Sequence, residues 1–141
     1  MPTVAFVCQG NAGRSQLATA LAEKERERRG VDVSILTGGV DPHEHVHPEV
    51  ETVLAEEGIE IDREPRQIRE ADLAAADYVI TMGCDVADIA PAGWNGHAER
   101  WELDHPGGDD LTSVRASRDE IDARVRDLFD RKLPTVTEEE G

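Results

Sequence analysis

Lysine is nearly missing from this chain. Of its 15 basic residues only Lys24 and Lys132 are lysines, and the rest are arginines. Against them stand 31 Asp and Glu, for a formal net charge of −16. A field of that sign repels nucleic acid and anionic lipid, which argues against either as a partner. It repels an anionic substrate equally, so any oxyanion site here must make its own local positive potential. An acidic, lysine-poor composition also fits adaptation to high salt, where screening mutes that repulsion. Long apolar runs are lacking: nothing approaches the ~20 residues of a membrane span. Met1-Pro-Thr leads straight into Val4-Ala-Phe-Val7 with no basic flank, which predicts no signal peptide and a cytoplasmic protein. Cysteine is scarce, with only Cys8 and Cys84. That excludes a disulfide framework. In a cytosolic protein two distant cysteines are free, or pair in a catalytic bond.

What is present reads as one α/β domain. The 141 residues suffice for a real core. Residues 4–7 form a short buried strand, too brief and continuous for an amphipathic helix. A helix follows over 15–29, with Leu17, Ala18, Leu21 and Ala22 on one face, residues 23–29 charged and exposed, and Gly30 as C-cap. Val31, Val33 and Ile35 alternate as a second strand that ends in a flexible Thr37-Gly-Gly39 loop. Pro48 opens a second helix, 71–76 forms a short third one, 78–81 a third strand, 99–103 a fourth, and 113–133 the last helix. The expected domain is 1–134, with 135–141 an acidic flexible tail. Alternating strands and helices predict a three-layer architecture: a four-stranded parallel sheet with helices on both faces. Ligands of such folds sit beyond the carboxyl ends of the strands. Three loops with chemical potential, 8–15, 82–85 and 104–106, should therefore open on one edge.

The first of these carries the chemistry. The apolar run ends in Cys8, and Gln9-Gly-Asn-Ala-Gly13 leads to Arg14 and Ser15, where the helix starts. A thiolate is the reactive form of cysteine. A helix start beside it offers unpaired N–H groups and the positive end of a dipole, both of which bind anions. Gly10, Ala12 and Gly13 carry little or no side chain, so the backbone can curl with its amides inward as a nest. Arg14 can fork two N–H donors onto two oxygens of a tetrahedral anion, and Ser15 can donate to the thiolate. Asn11 suits a left-handed backbone position or pins the loop by side-chain hydrogen bonds. Gln9, Gly10, Asn11, Ala12, Gly13, Arg14 and Ser15 are thus the expected oxyanion-binding set, around a sulfur nucleophile. Displacement on phosphorus expels an oxygen that needs a proton. Asp104, stiffened by Pro106, is the candidate general acid; its structural alternative is to cap a turn before Gly107-Gly108.

Further wording narrows the kinship. Cys8-Gln-Gly-Asn-Ala-Gly-Arg-Ser15, Thr37-Gly-Gly39, Glu57-Gly-Ile59, Ala76-Asp-Tyr-Val-Ile80, Met82-Gly-Cys84 and Trp101-Glu-Leu-Asp-His-Pro106 occur in order over about residues 3–133. In these the chain resembles the low-molecular-weight protein tyrosine phosphatase family, especially its arsenate reductase branch of the single P-loop cysteine type. The resemblance implies that family's flavodoxin-like fold. It also implies Cys8 as nucleophile, Arg14 as oxyanion clamp, Asn11 and Ser15 as its supports, and Asp104 as general acid. Two departures stand out. The phosphatases usually carry a second cysteine directly before the loop arginine, where this chain has Gly13. Thioredoxin-coupled reductases carry two resolving cysteines in a later loop; Cys84 matches the first, and Ala90 stands at the second. An internal three-cysteine relay is therefore lacking.

Two chemistries remain open on one loop. If water attacks a Cys8 phospho-enzyme, the protein is a phosphatase acting on phosphate monoesters. If a thiol attacks a Cys8–arsenic adduct, arsenate is reduced and a disulfide forms. That thiol is Cys84 or an external one: a small thiol such as mycothiol, or a glutaredoxin- or thioredoxin-like protein. No bound cofactor is expected. The rim offers His43, His45, His47 and His105 but no Tyr, Trp or Phe, with Trp94 either a late contributor or plain packing; this favours a small inorganic substrate. Alternating histidines at 43, 45 and 47 can bind zinc or nickel. No carboxylate or thiol stands at matching spacing, so no metal is assigned. An inactive oxyanion-binding regulatory module is the non-enzyme alternative. It would be favoured by loss of Cys8, Arg14 or Asp104, and all three are present.

Overall fold

The continuous apolar run at residues 4–7 becomes the central strand β1 (Thr3–Cys8) of a computed structural model. The structure describes residues 2–83, 89–90, 93–94, 96–102 and 110–132. β2 (Ser34–Gly39) and β3 (Tyr78–Met82) pair with β1 on either side, and β4 (His97–Arg100) pairs with β3. All pairings are parallel and the order is β2-β1-β3-β4. The helices between them are α1 (Arg14–Arg29), α2 (Pro48–Ala55), α3 (Glu70–Ala74) and α4 (Leu111–Lys132). The direction of strand progression reverses at β1. The crevice of such a sheet lies at that switch point, beyond the strand's carboxyl end. The last residue of β1 is Cys8.

Strand alternation sorts the core into two layers. Val4, Phe6 and Cys8 face the side of α1, α2 and α4, with Leu17, Val53, Leu54, Ile121, Val125 and Phe129. Ala5 and Val7 face the other side, with Ile68, Leu73 of α3, Ala76 and Val79. Trp94 and Ile89 pack onto this second layer, and the Trp94 indole N–H donates to the Ala76 carbonyl at 3.1 Å. Trp94 thus belongs to the packing on the α3 side. Trp101 is buried in the first layer, its ring centroid 5.8 Å from that of Phe6.

Three expectations change on inspection. Val31 and Val33 are buried but precede β2, because pairing starts where β1 starts: Ser34 N–H donates to the Pro2 carbonyl, and Thr3 pairs with Ser34. Gly38 and Gly39 are ordered strand, opposite Val7 and Cys8. Side chains are excluded there by close neighbours: a Cβ on Gly38 would lie 2.9 Å from Ile68, and one on Gly39 2.9 Å from Asn11 and from the Gln9 carbonyl. Glu25, expected on an exposed face, is buried. Burial raises its pKa, but hydrogen bonds from Arg28 and Arg29 overcome that and hold the carboxyl below its ordinary range. The same Arg29 pairs with Asp130 at 2.8 Å and lies over the Phe129 ring, so Glu25 sits at the α1–α4 seam. Gly30 does cap α1, at φ 68°.

Candidate active site

The backbone around Cys8 is turned by its neighbours. The carbonyls of Cys8, Gln9, Gly10 and Ala12 accept N–H bonds from Val40, Asp41, His43 and His47 at 3.2, 2.8, 2.9 and 3.0 Å. In a planar trans peptide the N–H points opposite to the C=O. Stitching these carbonyls to the 40–47 segment therefore turns the N–H groups of Gln9, Gly10, Asn11 and Gly13 the other way. The Asn11 N–H does reach Cys8 Sγ, at 3.2 Å. No side chain caps the first turn of α1, and that turn holds no acidic residue, whereas α2 and α3 each open with two. In a chain of −16, the carboxylates of α1 are kept from the helix end where an anion gains most.

Asn11 is the keystone of the loop. It is fully buried and left-handed, at φ 51°, a region that Asn tolerates. Its Oδ1 accepts the backbone N–H of Arg66 at 2.9 Å and the Gln16 side-chain N–H at 3.2 Å. That fixes which end of the amide is nitrogen. Its Nδ2 donates to Ser15 Oγ at 2.7 Å and to Thr37 Oγ1 at 2.9 Å. The Thr37 hydroxyl spends its own proton on the Phe6 carbonyl, at 3.2 Å. Ser15 Oγ accepts from Asn11 and lies 2.8 Å from Cys8 Sγ; a Cys8 thiolate, which can only accept, takes the Ser15 hydroxyl proton across that contact. The Asn11 N–H and the Ser15 hydroxyl thus converge on one buried sulfur.

Arg14 opens α1 and its guanidinium passes across Gly83, just beyond β3. A Cβ on Gly83 would stand 2.9 Å from Arg14 Nη2, and Gly83 has φ +86°. The start of the 82–85 loop and the 8–15 loop therefore do meet at one edge of the sheet. A cavity of about 290 Å³ opens over Cys8, Gln9, Gly10, Ala12, Gly13 and Arg14. His43, His47 and Glu49, with Leu17, Val50, Val114 and Ser117, complete its lining. His43 lies against Gly10, where a Cβ would come within 2.6 Å of the ring, and packs edge-on to His47 at 5.3 Å. His45 points away, 3.4 Å from Glu64. Among the described residues no three His, Cys, Asp or Glu side chains gather as a metal site. Cys84, Asp104 and His105 lie outside the described residues, as does the 135–141 tail.

The low molecular weight phosphotyrosine protein phosphatase family model matches residues 3–139, nearly the whole chain. The chain belongs to that family. A Halobacterium salinarum protein named provisionally as an arsenate reductase is 46% identical over 132 residues, 92% of each chain. A thioredoxin-dependent arsenate reductase structure from Corynebacterium glutamicum is 37% identical with a TM-score of 0.75. It matches 92% of this chain, which spans 61% of that chain's length. A structure described as an arsenate reductase in the phosphate-binding state is 30% identical, with a TM-score of 0.76, covering 93% of this chain and 98% of its own. The four-stranded parallel sheet with its helices is the fold of these family members. Among the described residues no helix is long and apolar enough to cross a membrane.

Five residues on which the loop rests have no role in the sequence reading, although Thr37, Gly39 and Gly83 stand in the quoted motifs. Thr37, Gly39, Arg66, Gln16 and Gly83 all touch the loop or its arginine. Gln16 offered one signal, a polar residue between Ser15 and Leu17 on the face that packs inward. Arg66 acts through its backbone N–H, which no side-chain pattern records.

Proposed function

We propose that this chain is an arsenate reductase in which Cys8 attacks a bound arsenate. The observation that carries the nucleophile is the Asn11 N–H at 3.2 Å and the Ser15 hydroxyl at 2.8 Å, both set against one buried sulfur. The preference for arsenate rests on relatives of up to 46% identity that bear that name. In this reading the inward amides of residues 9–13, the first turn of α1 and the Arg14 guanidinium hold the tetrahedral anion. The Cys8 thiolate forms a bond to arsenic and expels one oxygen, which leaves as water after taking a proton. Asp104 is assigned as that proton's source. A second thiolate then attacks Cys8 sulfur. The S–As electron pair returns to arsenic, which leaves as As(III), and the two sulfurs become a disulfide. Cys84 is one candidate for that thiol; a small thiol or a redoxin protein is the other. A thioredoxin-type donor is suggested by the thioredoxin-dependent relative.

The second reading is a phosphatase that hydrolyses phosphate monoesters through a Cys8 phospho-enzyme, with Asp104 as general acid. It is favoured by the apolar cavity wall of Leu17, Val50 and Val114, which suits an organic group that inorganic arsenate lacks. One experiment separates the two. Wild type and Cys84→Ser are assayed for arsenate reduction with small-thiol, glutaredoxin and thioredoxin donors, and for aryl phosphate hydrolysis. Thiol-dependent arsenate turnover is the expected result. Robust hydrolysis with no arsenate turnover under any donor sinks the reductase. Cys8→Ser is expected to lose both activities, and survival of either overturns the mechanism.

A further inference from the structure

Outside the loop, one buried polar side chain has no role in the reaction so far described. Gln16 is fully buried in the first turn of α1. Its Nε2 donates to the Asn11 carbonyl at 2.9 Å and to Asn11 Oδ1 at 3.2 Å. Its Oε1 accepts from Arg63 Nε at 2.8 Å. Arg63 comes from the connector after α2, far in sequence from the loop. It is held there by Glu23, whose carboxylate takes both terminal guanidinium nitrogens at 3.2–3.3 Å. An amide can sit in such a slot two ways round. Here only one works. A guanidinium can only donate, and the two Asn11 oxygens can only accept. Reversing the Gln16 amide would set N–H against N–H at one end and oxygen against two oxygens at the other.

We propose that Arg63 is a positioning residue for Cys8: by holding the Gln16 amide on both Asn11 oxygens it keeps the Cys8 loop in place. Arg63 donates to Gln16, Gln16 to Asn11 and Asn11 to Ser15, whose hydroxyl lies 2.8 Å from the Cys8 sulfur. The Arg66 N–H orients Asn11 and the two Asn11 oxygens orient Gln16; what Arg63 adds is the donor that keeps the buried Gln16 amide in that seat. Without Arg63, the fully buried Gln16 Oε1 loses its donor, a cost that draws the amide out of its seat on Asn11. Asn11 then loses the Gln16 donor on each of its oxygens, and the loop around Cys8 is held less tightly. The Arg63–Glu23 pair is part-buried, so the clamp is anchored by charge yet open to modulation from the surface. This inference rests on Cys8 being the nucleophile.

The test reads Cys8 itself. Wild type, Arg63→Met, Arg63→Lys, Gln16→Glu and Glu56→Gln are alkylated with iodoacetamide at pH 7, and the rate is followed on the Cys8 peptide by mass. Melting midpoints are recorded alongside. Arg63→Met and Gln16→Glu should react about tenfold more slowly, the size of one directing hydrogen bond. Arg63→Lys, which restores a donor, should recover most of the rate. Glu56→Gln loosens the distant α2–α4 contact, so it should lower the midpoint and leave the rate alone. Wild-type alkylation in a folded Arg63→Met or Gln16→Glu overturns the positioning role. A wild-type Cys8 that reacts no faster than the same peptide in denatured protein overturns the nucleophile reading instead.

Discussion

At the scale of single residues, the site depends on positions with no reactive group. Gly83 is the clearest. Its φ of +86° is strained for any L side chain, by about 1–2 kcal/mol. Its missing Cβ leaves the room that Arg14 Nη2 occupies. The end of an arginine is flexible, so in Gly83→Ala it is the guanidinium that moves. The expected outcome is a sulfate affinity weakened about tenfold, as for one lost charged hydrogen bond, with a melting midpoint lowered by only a few degrees. Calorimetric titration with sulfate checks this, and unchanged affinity would show that Arg14 does not need that space. Gly39 has the same logic toward Asn11. Gly38 and Gly39 look like a loop in the sequence because glycine is read as freedom. Here glycine marks the close approach of the Asn11 loop and of Ile68, a tertiary fact.

At the scale of elements, α2 and α4 are joined by ions as well as by their apolar faces. Glu56, just past α2, accepts from Arg115 at 2.7 Å and from Arg118 at 2.8 Å. Hydrogen bonds from Arg115 and then Arg118 pull its carboxyl down to about 2, against an ordinary 4.5. The folded value lies below the unfolded one, so this tie contributes fully above pH 4.5 and is lost as pH falls toward about 2. Glu99, lowered despite burial by its bonds to Arg131 and Trp101, acts in the same direction. Acid unfolding curves of Glu56→Gln should therefore be shallower than wild type between pH 4.5 and 2. Identical slopes would mean the tie is absent in solution. The helix ends themselves were legible in sequence: Pro48 opens α2, and Gly30 closes α1. α4 begins at Leu111, ahead of the expected 113, with the Asp110 carboxylate taking hydrogen bonds from the backbone N–H groups of its first turn and from Ser113 Oγ at 2.8 Å.

At the scale of the whole molecule, charge decides the response to salt. Exposed ion pairs such as Arg131–Asp127 and Arg126–Asp122 are each worth ~0–1 kcal/mol and weaken with salt. Repulsion among the 16 excess negative charges weakens too, and it acts over the whole surface. Raising KCl from ~0.1 to ~1 M shortens the Debye length from ~10 to ~3 Å. We expect repulsion to be the larger effect, so the melting midpoint should rise with KCl. A midpoint that falls across that range would show that the ion pairs dominate.

The sequence alone determined the alternation of strand and helix, the parallel sheet, and the position of Cys8, Asn11, Arg14 and Ser15 between a buried strand and a helix. These rest on periodicity and on local backbone chemistry, which neighbours in the chain carry. Only the tertiary structure decided which way the hydrogen bonds of the loop run. Thr37, Arg66 and Arg63 reach Asn11 or Gln16 from 26, 55 and 47 residues away. Such polarity depends on which donor faces which acceptor across the packed fold, and no spacing in the chain records it.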